Sequence, residues 1–222
     1  MGVRVLLAHG WCFDISIWDD VIPLLKTNTC EAVDFGYFCS PHLPIISGET
    51  PLIGVGHSLG YIWLLKQRIY QIDAIINISS VPCFTDSRCG YTVIHQPGVK
   101  KAYEQLSNSP ALFVKWFWRK CGASREMLEN IPNCIDKNAL LSGLQDIAGC
   151  SVENATKQKN IPVKVIGAKN DRVVNAMTMT RFFKNNPLVD ISINESGGHL
   201  LPLLQPKWCA SKINEQIEIM SN

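Results

Sequence analysis

Five residues, Gly56-His57-Ser58-Leu59-Gly60, constrain the chain more than any others, because they lie between a short apolar run and an apolar helical stretch. Residues 51–55, Pro-Leu-Ile-Gly-Val, read as a buried strand. Residues 59–70 read as a helix with apolar side chains at 59, 62, 64, 65 and 69. A G-x-S-x-G at such a junction makes a tight strand-to-helix turn that lifts a serine hydroxyl out at the top of a parallel sheet, in a strained backbone position. The glycines leave room for the turn, and the helix N-terminus behind Ser58 favours a developing oxyanion. Ser58 is therefore the candidate nucleophile; an ordinary glycine-flanked turn is the alternative.

The pattern around this junction alternates. Residues 3–8 form an apolar run with one charge, as expected of a strand covered on both faces. Residues 15–26 carry a broad helical stripe disturbed by Pro23, residues 30–35 resemble a second strand, 36–50 are loop, and 74–78 are a further buried strand. From about residue 84 to residue 159 strand signals stop, and helices are expected over 99–106, 110–121, 125–130 and 138–147. Strands at 162–168 and 188–193 and helices at 174–185 and 203–220 then resume the alternation. This is the order of an α/β fold, a mostly parallel sheet flanked by helices. Residues 1–83 and 160–222 would form the core, and residues 84–159 a helical lid inserted over the carboxyl ends of the strands.

The composition suits one globular unit: 222 residues, 46% apolar and 18% charged, with no low-complexity tract. Nine cysteines, at 12, 30, 39, 83, 89, 121, 134, 150 and 209, form no C-x-x-C pair and no Cys/His metal spacing. They read as reduced, mostly buried thiols of a cytoplasmic protein, and no metal is expected. The first apolar run is too short for a signal peptide, Leu6 breaks the myristoylation pattern, and no stretch approaches a membrane span.

A serine hydroxyl is a weak nucleophile until a base takes its proton, and the base needs an acid to hold its tautomer. For a serine on a strand-turn-helix the partners follow in the order Asp or Glu, then His. Asp171 lies just past the expected strand 162–168, and His199 lies on Ser196-Gly197-Gly198-His199, just past the last strand. Of the histidines at 9, 42, 57, 95 and 199, only His199 follows Asp171. A helix N-cap is the other reading of Asp171 and a solvated loop residue that of His199. The turn His9-Gly10-Trp11 after the first strand is placed to supply the Trp11 N–H as an oxyanion donor beside that of Leu59. His9 is expected to be a support, and His57 a pocket wall or packing residue.

On these residues the chain resembles the α/β-hydrolase superfamily and, within it, the pimeloyl-[acyl-carrier protein] methyl ester esterases. The resemblance spans nearly the whole chain. It is carried by His9-Gly10-Trp11 with Trp18 seven residues on, the 56–60 motif, Ser80-Val81-Pro82-Cys83-Phe84, Gly143-Leu144, Asn170-Asp171 and Gly198-His199. It implies a serine carboxylesterase without cofactor that removes the methyl group from a pimeloyl-carrier-protein ester, committing the acyl chain to biotin synthesis. Two departures stand out. Tyr61 occupies a position usually held by a small residue, and the chain starts at the strand before His9, so a truncated N-terminal strand region with an open sheet edge is expected.

Between residues 88 and 125 the bases Arg88, Lys100, Lys101, Lys115, Arg119, Lys120 and Arg125 face one acid, Glu104, whereas the whole chain carries only +2. The expected role is docking of an acidic acyl carrier protein, with a solvated helix face as the plain alternative. Phe113, Trp116, Phe117 and Trp118 share this segment. Phe113 and Phe117 would roof an acyl pocket whose floor is Trp11, Trp18, Cys83 and Phe84. No nucleic-acid module pattern accompanies the bases. A monomer is expected. The rival readings are a general short-chain carboxylesterase or thioesterase with no carrier partner, and a non-catalytic ligand-binding homologue, which would not need all three of Ser58, Asp171 and His199.

Overall fold

A computed structural model of the chain describes residues 2–67, 69–85, 93–149 and 160–221. Its apolar runs become strands: β1 (Arg4–Ala8), β3 (Leu52–His57), β4 (Ala74–Ile78) and β5 (Val163–Ala168) are buried over nearly all their length. That is the burial expected of central strands sandwiched between helices. The more exposed β2 (Cys30–Val33) and β6 (Val189–Asn194) are the edges. The six strands run in the order β2-β1-β3-β4-β5-β6, and every ladder among them is parallel. Lys164 is the exception to the apolar rule inside β5, and its ammonium reaches Asp190 at 2.8 Å and Glu215 at 2.9 Å.

The chain leaves β1 toward β2, then crosses to the other side of β1 for β3, so the winding direction reverses between β1 and β3. Open α/β sheets bind ligands beside the carboxyl ends of the strands at such a reversal. His9-Gly10 follows β1 and Ser58 follows β3, with Ala8 and Gly56 in register.

Helix α1 (Leu59–Lys66) packs on β1 and β3. Between β4 and β5 come α2 (Gln96–Asn108), α3 (Pro110–Cys121), α4 (Arg125–Glu129) and α5 (Lys137–Gly149), with α2 against both α3 and α5. After β5 the chain forms α6 (Ala176–Phe183), and after β6 the short α7 (Leu201–Leu204) and α8 (Pro206–Ser221). Two indoles fasten the helical block to the loop after β1. Trp11 Nε1 donates to Leu140 O at 2.8 Å, and Trp118 Nε1 donates to Cys12 O at 2.7 Å.

Three expected helices are corrected. Residues 15–26 form two 3-10 turns, Ile15–Trp18 and Ile22–Leu24. The Asp14 carboxylate caps the first at Ser16 N–H, and Pro23 sits inside the second, where its ring and missing N–H forbid a continuous α-helix. The helix after Ser58 stops at Lys66, and Ile69, which looked like part of its stripe, is 86% exposed. The terminal helix breaks at Gln205, which the following Pro206 holds out of helical geometry at φ −140°.

Among the described residues none of the seven cysteines is in a disulfide; Cys89, Cys150 and the basic residue Arg88 lie outside the described residues. Among the described residues no helix is long and apolar enough to cross a membrane.

Candidate active site

The turn after β3 has the geometry its glycines allow. Ser58 sits at φ 51°, ψ −118°, a region L-residues rarely occupy. Its N–H donates to Ile78 O at 2.9 Å, and its carbonyl accepts from Ser80 Oγ at 2.7 Å, so β4 and the residues after it hold the strained residue. A Cβ on Gly56 would run into the Tyr61 backbone, and one on Gly60 into the carbonyls of Ala8 and His9. Only glycine lets α1 turn back this sharply across the end of β1.

Three loops meet at the serine. His199 Nε2 lies 3.1 Å from Ser58 Oγ, and His199 Nδ1 lies 3.0 Å from Asp171 Oδ2. All three residues are buried, with His199 at 1% exposure, so the solvated-loop reading of that histidine is excluded. Asp171 does two things at once. Its Oδ1 accepts from the N–H groups of Val173 at 2.7 Å and Val174 at 2.8 Å, while Oδ2 faces the imidazole. The N-cap of α6 is Asn175. Burial pushes the Asp171 carboxyl up, but His199 and the two backbone donors outweigh it and hold the acid below the usual carboxylate range. An ionised carboxylate can only accept, so Nδ1 of His199 carries the proton and Nε2 is free to accept the Ser58 O–H.

His9 supports the loop after β1. Its Nε2 accepts from Phe35 N–H at 3.0 Å, which leaves the proton on Nδ1, and Nδ1 donates to Gly10 O at 2.8 Å. With that carbonyl pinned, the planar Gly10–Trp11 peptide directs its N–H the opposite way. Leu59 opens α1, so its N–H is one of the donors that a helix start leaves without an intrahelical partner.

An apolar cavity of about 250 Å³ is lined by Trp11, Phe113, Phe117, Leu144 and Val173, with Lys101 and Lys120 among its polar residues. The Trp11 indole meets the rings of Phe113 and Phe117 edge-on at 5.7 and 5.0 Å. The expected floor is corrected in part: Trp18, Cys83 and Phe84 are buried in the interior and are not among the lining residues. Apolar character told that they were inside, not which side of the core they faced. Tyr61 is likewise absent from the lining; it is fully buried with its ring 6.3 Å from Phe183, so it shapes packing behind α1. Lys100, Lys101, Arg119 and Lys120 are exposed on α2 and α3 and Lys115 is half-buried. Arg125 is paired with Glu129 at 2.7 Å, which removes it from the free charge of that surface. No group of three or more His, Cys, Asp or Glu side chains among the described residues is placed to hold a metal ion.

Sequence reasoning missed the part played by His57. Its Nε2 bonds the main-chain oxygen of His199 at 2.8 Å, a contact across 142 residues to a backbone atom that no side-chain pattern announces. Burial, reinforced by the neighbouring His199, pushes the His57 imidazole down to about 3 from 6.5. Between those two values the unfolded chain binds a proton that the folded protein refuses, so stability is complete above the upper value and declines as pH falls through the window. Asp34 is pushed up by burial, yet hydrogen bonds from Gly36 N–H and the Cys39 thiol hold it at about 2, so its contribution disappears only at lower pH. Stability measured by urea unfolding should therefore start to decline already below about pH 6, whereas His57→Gln should hold its stability to about pH 4. Parallel curves for the two proteins between those values would refute the assignment.

A strained serine at the winding reversal of a parallel sheet, backed by a buried histidine and carboxylate in that chain order, defines a class: serine-hydrolase geometry on the α/β-hydrolase fold. No protein-family model matches the chain. The pimeloyl-[acyl-carrier protein] methyl ester esterase of Legionella pneumophila (strain Corby) is 26% identical over 204 residues, covering 84% of this chain and 83% of that protein. Its counterpart in strain Lens matches at the same identity and coverage. Among solved structures, a bromoperoxidase from Bacillus anthracis superposes with a TM-score of 0.81 at 16% identity, over 99% of this chain and 92% of that one. An esterase from Exiguobacterium antarcticum superposes at 0.83 with 14% identity, over 98% and 92%. These similarities show the fold.

Proposed function

We propose that the chain is a serine carboxylesterase that hydrolyses the methyl ester of a pimeloyl chain carried on an acyl carrier protein, with residues 84–159 as its lid. The observation that carries the reading is the continuous Asp171–His199–Ser58 relay beside an aromatic-lined cavity. In this mechanism Ser58 Oγ attacks the ester carbonyl as His199 Nε2 takes its proton, and Asp171 stabilises the imidazolium that forms. The N–H groups of Leu59 and Trp11 hold the oxyanion, each lowering the barrier by about 3 kcal/mol. His199 returns the proton to the departing methanol, and water activated by the same histidine releases the acid. Trp11, Phe113 and Phe117 flank the acyl chain. Lys100, Lys101, Lys115, Arg119 and Lys120 offer an acidic carrier protein a docking surface on α2 and α3. The name of the Legionella relatives supports this choice of substrate. The reading needs a single copy of the chain and suits the cytoplasm, where its thiols stay reduced.

The test is growth without biotin of a bacterial strain that lacks its own pimeloyl-ester esterase, supplied with the wild-type chain or with Ser58→Ala. Rescue by the wild type alone is expected. Raising salt from about 50 to 300 mM should slow turnover of the carrier-linked ester several-fold and leave a small p-nitrophenyl ester unaffected. No rescue, with small esters still cleaved, would favour a general carboxylesterase or thioesterase. No ester cleavage at all would favour a ligand-binding protein.

A further inference from the structure

His57 is fully buried, and its ring lies against two of the loops that build the site besides its own. It belongs to the turn that carries Ser58. Its Nε2 lies 2.8 Å from His199 O, and its Nδ1 faces Gly10, where a Cβ would stand only 2.7 Å away. A carbonyl oxygen only accepts, so the His57 proton sits on Nε2, and Nδ1 is a bare lone pair without a partner among the described residues. The rings of His57 and His199 are 5.0 Å apart.

His199 stands at the end of a Gly197-Gly198 turn, with Gly197 at φ 95°. Two glycines in a row give this segment little conformational preference of its own, so the histidine's main chain must be fixed from outside. The imidazole of His57 supplies such a fixture at His199 itself. We propose that His57 is a positioning residue that sets the distance from His199 Nε2 to Ser58 Oγ by tying the histidine loop to the serine turn. The inference rests on the Ser58–His199–Asp171 reading above. A neutral donor suits this place, because a second charged imidazole 5.0 Å away would oppose the imidazolium that forms on His199. Gly10 is part of the same device, since a side chain there would enter the space the His57 ring occupies.

The full chain is treated with a fluorophosphonate probe, and the rate of adduct formation at Ser58 is followed together with kcat and KM on p-nitrophenyl butyrate. His57→Leu removes the donor while filling the space. His57→Gln keeps an amide N–H close to the position of Nε2. The leucine variant should label about 10- to 100-fold more slowly and lose kcat by a similar factor with KM almost unchanged, because misplacement by a fraction of an ångström falls on the reacting step. The glutamine variant should recover to within about fivefold of wild type. A role in packing alone would lower the melting temperature of both variants and leave the labelling rate of the folded protein intact. Should His57→Leu not fold, His57→Asn, whose shorter amide stops short of His199 O, takes its place with the same expected result. A folded donor-less variant that labels at the wild-type rate, or a glutamine variant as slow as that one, would overturn the proposal. Wild-type protein that takes no label would instead overturn the nucleophile assignment, and the role of His57 with it.

Discussion

Ser58→Ala should lower ester turnover by about 10⁴- to 10⁶-fold, the scale of loss when the nucleophile of a serine–histidine unit is removed and only binding and oxyanion stabilisation remain. The substitution should leave the fold intact, because the bonds that hold position 58, from its N–H to Ile78 O and from Ser80 to its carbonyl, are main-chain bonds at that residue. Alanine keeps the strain of φ 51°, but glycine does not. Ser58→Gly should therefore be as inactive as the alanine variant yet more stable than wild type by about 1 kcal/mol, or a few degrees in Tm. Turnover of a p-nitrophenyl ester and thermal melting measure the pair. Residual activity within tenfold of wild type would place the nucleophile elsewhere, and a glycine variant less stable than alanine would show that the turn is not strained.

The second large effect is steric. Gly60→Ala pushes a methyl group into the main-chain carbonyls of Ala8 and His9, and main chain at the end of a central strand has nowhere to go. Helix α1 would have to lift from β1, opening the core at its centre, with a cost of about 3 kcal/mol or more and loss of the oxyanion geometry. Gly167→Ala is the control. There the new methyl group meets the terminal methyl of Met179, a flexible thioether that can swing away, so the cost should stay near 1 kcal/mol. Urea unfolding of both variants tests the contrast; equal losses would mean that backbone crowding at the turn is not what holds position 60.

The parts of this protein that were legible in its sequence are those written in short-range chemistry. Strand β4 was readable at Ala74–Ile78 and helix α3 at Pro110–Cys121, because an unbroken apolar run and a proline start with a glycine stop are local signals. The order Ser58, Asp171, His199 was readable because each follows a strand end. What escaped was set by partners remote in the chain. Residues 15–26 have a helical stripe, yet Asp14, Pro23 and the burial of Trp18 in the core divide them into two tight turns. The aromatic and thiol residues expected at the cavity floor were recognisable as interior, but an unbroken apolar segment does not say which face it turns to a cavity. Arg125 counted as free charge until its neighbour one helical turn on, Glu129, closed on it.

The two indole bonds, from Trp11 to Leu140 and from Trp118 to Cys12, bear on how such proteins can be recombined. They join the helices between β4 and β5 to Trp11, a proposed oxyanion donor, and to its neighbour Cys12. The block is thus not an interchangeable cover: moved alone onto another core, it would lose both anchors and leave the buried Trp118 indole N–H unsatisfied. A working chimera would have to transplant residues 10–13 together with the helices, so the two segments form one heritable module although 70 or more residues separate them in the chain.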